Sequence, residues 1–195
     1  MKYIFKIITL TILLQFGISW GQTNKTISQS TITWKAYKAL NADALSHFGT
    51  VQLKAGNIVT NANNEIVGGN FIIDLSTIIA DDMKGNKKMK LMLENHLKSD
   101  DFFDVKKFPT AFFKLTSVKP NNDKKYNYTF SGNLSIRNIS KPISFPVSVI
   151  NNGNKTIVKS ALFTFNRKDY GLNYNVFEDM ILKNDVEMIV NFVAK

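Results

Sequence analysis

The stretch YNYTFSGNLSI, residues 126–136, alternates from end to end. Tyr126, Tyr128, Phe130, Gly132, Leu134 and Ile136 share one face, and Asn127, Thr129, Ser131, Asn133 and Ser135 share the other. A period of two sends successive side chains to opposite sides of an extended chain, so this is a strand with one buried face. The same period recurs on both sides of it. Upstream lie Ile32 with Trp34, Gly49-x-Val51-x-Leu53, Gly69-x-Phe71-x-Ile73-x-Leu75 and Ala111-x-Phe113-x-Leu115. Downstream lie Ile143-x-Phe145-x-Val147-x-Val149, the run from Ile157 to Phe165, and Val186-x-Met188-x-Val190-x-Phe192. The connections are mostly short: Asn152-Gly153 signals a hairpin, and Arg137 to Pro142 holds another tight link. Sequential strands joined by short turns give an all-β, antiparallel, up-and-down order. About eight strands suffice to close a barrel.

Two segments depart from this period. Met89, Met92, Leu93, His96 and Leu97 fall at i, i+3, i+4, i+7 and i+8, which predicts one inserted α-helix near 84–97. Gly85 or Asn86 is placed to open it, and Ser99 to N-cap a following turn through Asp100 and Asp101. From Asn166 to Asn184 no period is visible. That stretch contains Arg167, Asp169, Tyr170, Gly171 and Tyr174, then Phe177, Glu178 and Asp179. A connection this long in a tight barrel reads as a functional loop. No internal repeat is present, and residues 22–28 read as a short linker.

The N-terminus has its own pattern. Lys2 and Lys6 precede an apolar run from Ile7 to Ile18, and Ser19-Trp20-Gly21 supplies small residues at the −3 and −1 positions before Gln22. An apolar run this short falls below the roughly 20 residues that span a bilayer. Residues 1–21 are therefore expected to be a secretory signal peptide, and residues 22–195 one domain in the periplasm or secreted. With no Cys after the cleavage site, a lipid-modified N-terminus is not expected.

The 195 residues contain no Cys, which removes thiol catalysis, thiolate zinc sites and disulfide staples. The 15 Phe and 6 Tyr concentrate in the alternating runs, so the inward faces are aromatic. The net charge of +10 is scattered along the chain, which does not suit nucleic acid in an exported protein. A basic surface of this kind suits either solubility or peripheral contact with an anionic membrane.

Three pieces together resemble one family. They are Ser46-His47-Phe48-Gly49; the run from His96 through Asp100-Asp101-Phe102-Phe103-Asp104-Val105 to Phe108-Pro109-Thr110-Ala111-Phe112; and Gly132 to Arg137, Lys141-Pro142 and Arg167-x-Asp169-Tyr170-Gly171. This series is similar to the YceI-like family of lipid- and polyisoprenoid-binding proteins. The resemblance implies a lipocalin-like barrel whose apolar bore holds an isoprenoid-type lipid or quinone, with dimers known among its members. Ser135 and Asn138 depart from the family's more usual Thr and Gly; Asn tolerates the left-handed region, so the turn survives.

On this reading the candidate ligand-binding residues are Trp34, His47, Phe71, Phe113, Tyr128, Phe130, Phe145, Phe163, Phe165, Arg167 and Asp169. The aromatic side chains would form the wall, and each is equally a plain core residue. Arg167 and Asp169 fall on one face if their segment is extended; they would meet a polar headgroup or pin the loop to itself. His96 reads as a packing residue on the helix stripe, and His47 as either a headgroup contact or a turn cap. A zinc site from the two histidines needs a further ligand such as Asp74 or Asp100, and the spacing supplies none. Asp100, Asp101 and Asp104 read as acids of a capped turn, with Phe102-Phe103 plugging one barrel end. No catalytic residue and no metal is expected, and no cofactor beyond a bound lipid.

Three function classes follow. The first is an exported carrier or store for a long apolar ligand. The second is a non-catalytic interaction or stress-response domain without a small ligand. The third is a lipid-modifying enzyme using His47, Asp74 or Arg167, although no nucleophile-elbow motif accompanies them.

Overall fold

A computed structural model describes residues 21–38, 46–174 and 182–195. The predicted leader, apart from Gly21, lies outside the described residues, as do Phe177, Glu178 and Asp179. Alternation becomes strand wherever it was visible: β1 (Thr23–Lys38), β2 (Ser46–Thr60), β3 (Ile66–Ala80), β4 (Thr110–Pro120), β5 (Tyr128–Ile136), β6 (Ile139–Asn152), β7 (Lys155–Ser160), β8 (Phe163–Asn166) and β9 (Leu182–Ala194). Each strand pairs antiparallel with its sequence neighbour from β1 to β7. Both β7 and β8 then pair with β9, and β9 closes the sheet onto β1.

The predicted single run from Ile157 to Phe165 is broken at Ala161-Leu162, where the Ala161 amide turns to Pro146 O at 2.8 Å. β7 and β8 are thus two halves of one stave, and the barrel has eight. Closure of β9 onto β1 pairs the two terminal strands and leaves only a short edge, where β8 is bonded to β9 alone. Few and short free edges are how an all-β chain without disulfides avoids edge-to-edge association.

The sheet curls tightly where glycine permits it. Gly132, on the inward face of β5, sits so close to β4 that a Cβ there would lie 2.2 Å from Lys114 O and 2.8 Å from the Phe113 ring. Its absent side chain lets Phe113 lie across the strand. The β5–β6 link is a two-residue turn, Arg137-Asn138, with φ of 49° and 62°. Both residues are left-handed, as the twist of a hairpin demands. Arg137 is a costly residue there, and its Nη1 offsets this by donating to Phe102 O at 2.9 Å and Gly171 O at 3.1 Å. The β6–β7 turn, expected within 151–154, sits on Gly153-Asn154, with Gly153 at φ 57° in the first position.

Residues 23–28 are strand, not linker. Thr23 to Thr26 pair with Asn57 to Thr60 of β2. The alternation is hidden there because a lysine, Lys25, takes a buried position. One helix interrupts the barrel between β3 and β4, as expected: α1 (Lys87–Lys98), opened by Asn86, whose Oδ1 accepts from the Met89 amide at 3.1 Å. Ser99 closes this helix, its Oγ donating to His96 O at 2.8 Å, and does not N-cap the next turn. The stripe turned to the barrel is Lys90, Leu93, Glu94 and Leu97; Met89 and Met92 point outward, 47% and 57% exposed. Buried Glu94 explains the rotation. Its Oε1 accepts the Ala80 amide at the end of β3 (3.0 Å) and lies 3.7 Å from Lys90 Nζ. A backbone amide left bare by the end of β3 outbids two methionines for the inner face.

Candidate ligand-binding site

The barrel interior is neither uniformly packed nor uniformly hollow. At one end Ile58, Ile66, Leu115 and Ala194 are almost wholly buried and fill the cross-section. From there an apolar cavity of about 280 Å³ runs toward α1. Its inner part is aromatic. Phe145 stacks on Phe163 with ring centroids 4.2 Å apart and planes at 11°, and Phe71, Phe113, Phe130 and Phe192 surround them. Phe113, Phe163, Ile143 and Val190 face inward yet are only half-buried, because they border space and not another side chain. A small volume lined from Phe192 at one extreme to His47 at the other describes a thin channel.

The channel opens at the α1 end. Leu93, His96 and Leu97 of the helix line it there, with Phe102 and Phe103 of the following turn and Tyr174 beyond β8. His96 packs edge-on against Phe102 (5.3 Å) and Tyr174 (4.5 Å). The side chains of His47 and His96 keep 23% and 32% of their exposure, which marks this end as the mouth.

Few polar groups reach the channel, and most are at the mouth. His47 Nδ1 lies 2.8 Å from Asp82 Oδ2, while Asp82 Oδ1 accepts the Phe48 amide at 3.1 Å. Burial works against the Asp82 carboxylate, but the bonds from His47 and Phe48 outweigh it and hold its pKa below the usual value. Arg167 is buried, lines the channel, and donates from Nη1 to Leu172 O at 2.6 Å. Tyr170 is buried in the same 3₁₀ turn, Arg167–Tyr170, where burial and then the Asp169 charge push its hydroxyl up to about 12. Trp34 Nε1 and His96 Nε2 are buried without a hydrogen-bond partner among the described residues, and both side chains line the channel. Ser160 Oγ, deeper inside, is already engaged by the Val190 amide at 2.8 Å.

Of the residues singled out from the sequence, Trp34, His47, Phe71, Phe113, Phe130, Phe145, Phe163, Phe165 and Arg167 line this one cavity. Tyr128 does not: it packs beside Val118 and Val149 at the filled end, one step past the channel floor. Asp169 does not either. The segment is a 3₁₀ turn and not extended, so residues two apart diverge; Arg167 points in and Asp169 points to solvent. Asp74 is bound to Ser76, its Oδ1 accepting from that residue's amide and hydroxyl. Asp101 stands 3.9 Å from His96 Nε2, outside the channel.

The sequence reading missed the helix as a wall. Leu93, His96 and Leu97 were visible in the helical stripe, but a stripe does not tell a packed face from one bordering a void. Met188 and Phe192 lay in a recognised alternating run and follow from the same inward phase.

A family model described as the YceI-like domain matches residues 15–194. A UPF0312 protein of Pseudomonas paraeruginosa is 38% identical over 61 residues, 31% of this chain and 30% of that one. A UPF0312 protein of Pseudomonas putida is 34% identical over 84 residues, 40% of this chain and 43% of that one. The alignments therefore span less than half the length of these curated relatives. Among solved structures, Burkholderia cenocepacia BcnA superposes with a TM-score of 0.61 at 19% identity, over 85% of this chain and 96% of its own. A Campylobacter jejuni YCEI protein gives 0.52 at 16% identity, over all of this chain and 93% of its own. At such identities the likeness speaks to the fold.

Proposed function

The chain belongs to the YceI-like family, and from that premise we propose that it is an exported binding protein that holds one long apolar chain, of isoprenoid type, for carriage or storage. The observation that carries the reading is the continuous channel whose inward aromatic side chains border space. Each CH₂ moved from water into such a wall gains about 0.8 kcal/mol, so a lipid tail supplies ample driving force without polar contacts. A thin bore favours an extended chain over a compact ligand. The polar groups gathered at the mouth, His47, His96 and Trp34 Nε1, suit the polar end of that chain.

Catalysis finds less support. His47 is oriented by Asp82 as a general base would be, but the Ser160 hydroxyl, which accepts the Val190 amide, lies deeper in the bore and is not bonded to His47. The test is displacement of Nile red from the purified protein by a polyprenol. Saturable displacement, lost in a folded Phe145→Asp variant, is expected. A protein that never takes up the dye, even after extraction with organic solvent, contradicts the reading.

A further inference from the structure

The outer side of α1 carries chemistry that the channel does not use. Leu93 and Leu97 turn inward and Glu94 is buried, while Met89, Leu91 and Met92 stand 47%, 48% and 57% exposed. Lys87 and Lys88 are interleaved with them, and Lys84 precedes the helix with 76% of its side chain exposed. Phe48, 45% exposed, belongs to the same rim: its amide donates to Asp82 Oδ1 and its carbonyl accepts from the Asp81 amide. Nearby acids are mostly engaged. Asp82 holds His47, Glu94 holds the Ala80 amide, and Asp81 lies 3.9 Å from Lys84. Asp100 and Asp101 lie past the other end of the helix.

Helix stability does not explain this pattern. The first turn contains no acid and three lysines, Lys87, Lys88 and Lys90, at the end where the macrodipole favours negative charge. Three large apolar side chains are left in water when the helix has a free outer face for polar ones. Local rules broken together at one place point to function. Apolar side chains among lysines on a helix match the water–lipid interface of an anionic bilayer, and the patch adjoins the mouth of an apolar channel.

We propose that this face docks the protein on an anionic lipid bilayer. Phe48, Met89, Leu91 and Met92 enter the headgroup layer, Lys84, Lys87 and Lys88 meet phosphates, and the channel mouth lies against the lipid. The inference rests on the channel being a lipid site, and its test separates the two. Near an anionic surface each lysine contributes about fivefold in partition. Flotation with phosphatidylglycerol vesicles should recover the wild-type protein, pure phosphatidylcholine should not, and added salt should release it. Lys87→Glu/Lys88→Glu should lower flotation by roughly tenfold or more while its Tm holds or rises, because glutamate suits a helix N-terminus. Met92→Asp should lower flotation as well, and neither variant should change uptake of Nile red from detergent. Absence of wild-type flotation, or undiminished flotation of both variants, overturns the proposal, as does a purified protein partner held by this patch when vesicles are not. Intact flotation with no dye uptake instead removes the lipid reading of the channel and leaves the docking face standing.

Discussion

At the filled end of the barrel Lys25 is buried, and its Nζ donates to Asn64 Oδ1 at 2.6 Å and Thr156 Oγ1 at 3.2 Å, beneath which Ile58, Ile66 and Leu115 close the cross-section. At the α1 end His96, Phe102 and Tyr174 pack on one another, and they line an opening together with His47. The same eight staves thus give two different ends. One is a core, with its polar atoms tied to protein partners. The other holds polar atoms in reserve, Trp34 Nε1 and His96 Nε2 among them. Changes at the filled end should therefore be read in stability, and changes at the mouth in ligand exchange.

The largest effect should come from the border between the two regions. Phe130, 1% exposed, both floors the channel and anchors the core. Phe130→Ala should cost about 3–5 kcal/mol in urea unfolding and weaken lipid binding together. Thr156→Val sharpens the contrast from the filled side. It removes an acceptor from buried Lys25 and should cost roughly 1–3 kcal/mol of stability with lipid affinity unchanged. Phe102→Ala does the opposite. It opens the mouth, and release of a bound fluorescent lipid should quicken by about tenfold, a 1.4 kcal/mol effect on the barrier, with little change in unfolding midpoint.

The smallest effect concerns pH. The folded pKa of Asp82 is depressed, so its contribution is present above the ordinary carboxylate value near 4 and is lost as pH falls through the lower folded value. Asp82→Asn should lower Tm slightly at neutral pH and flatten the acid side of the Tm profile. An unchanged acid slope would show that the His47–Asp82 bond does not hold the rim.

Most of the barrel was legible because one face of each strand is apolar and the period of two survives, as in residues 126–136. It failed where the filled end buries polar groups: Lys25 made residues 22–28 look like linker, yet Thr23 to Thr26 pair with β2 and the Lys25 ammonium is held by Asn64 and Thr156. The helix existed in the sequence, but its rotation depended on Glu94 meeting a β3 amide fourteen residues away in sequence, which periodicity cannot see. Within the site, alternation named the aromatic side chains that line the cavity, and the two remaining candidates fall outside it for different reasons. Tyr128 lies beyond the channel floor, and Asp169 is turned outward by a 3₁₀ turn. Whether an inward face borders a neighbour or a void is set by barrel diameter, which no single strand encodes.

The central claim is that the void is occupied in life by a long apolar chain. Native mass spectrometry of protein purified from the organism without detergent, followed by organic extraction, tests it most directly. A mass excess that disappears on extraction and returns as one linear lipid per chain is the predicted result. A lipid-free protein from its own compartment, with a channel that takes up no polyprenol afterwards, would contradict it.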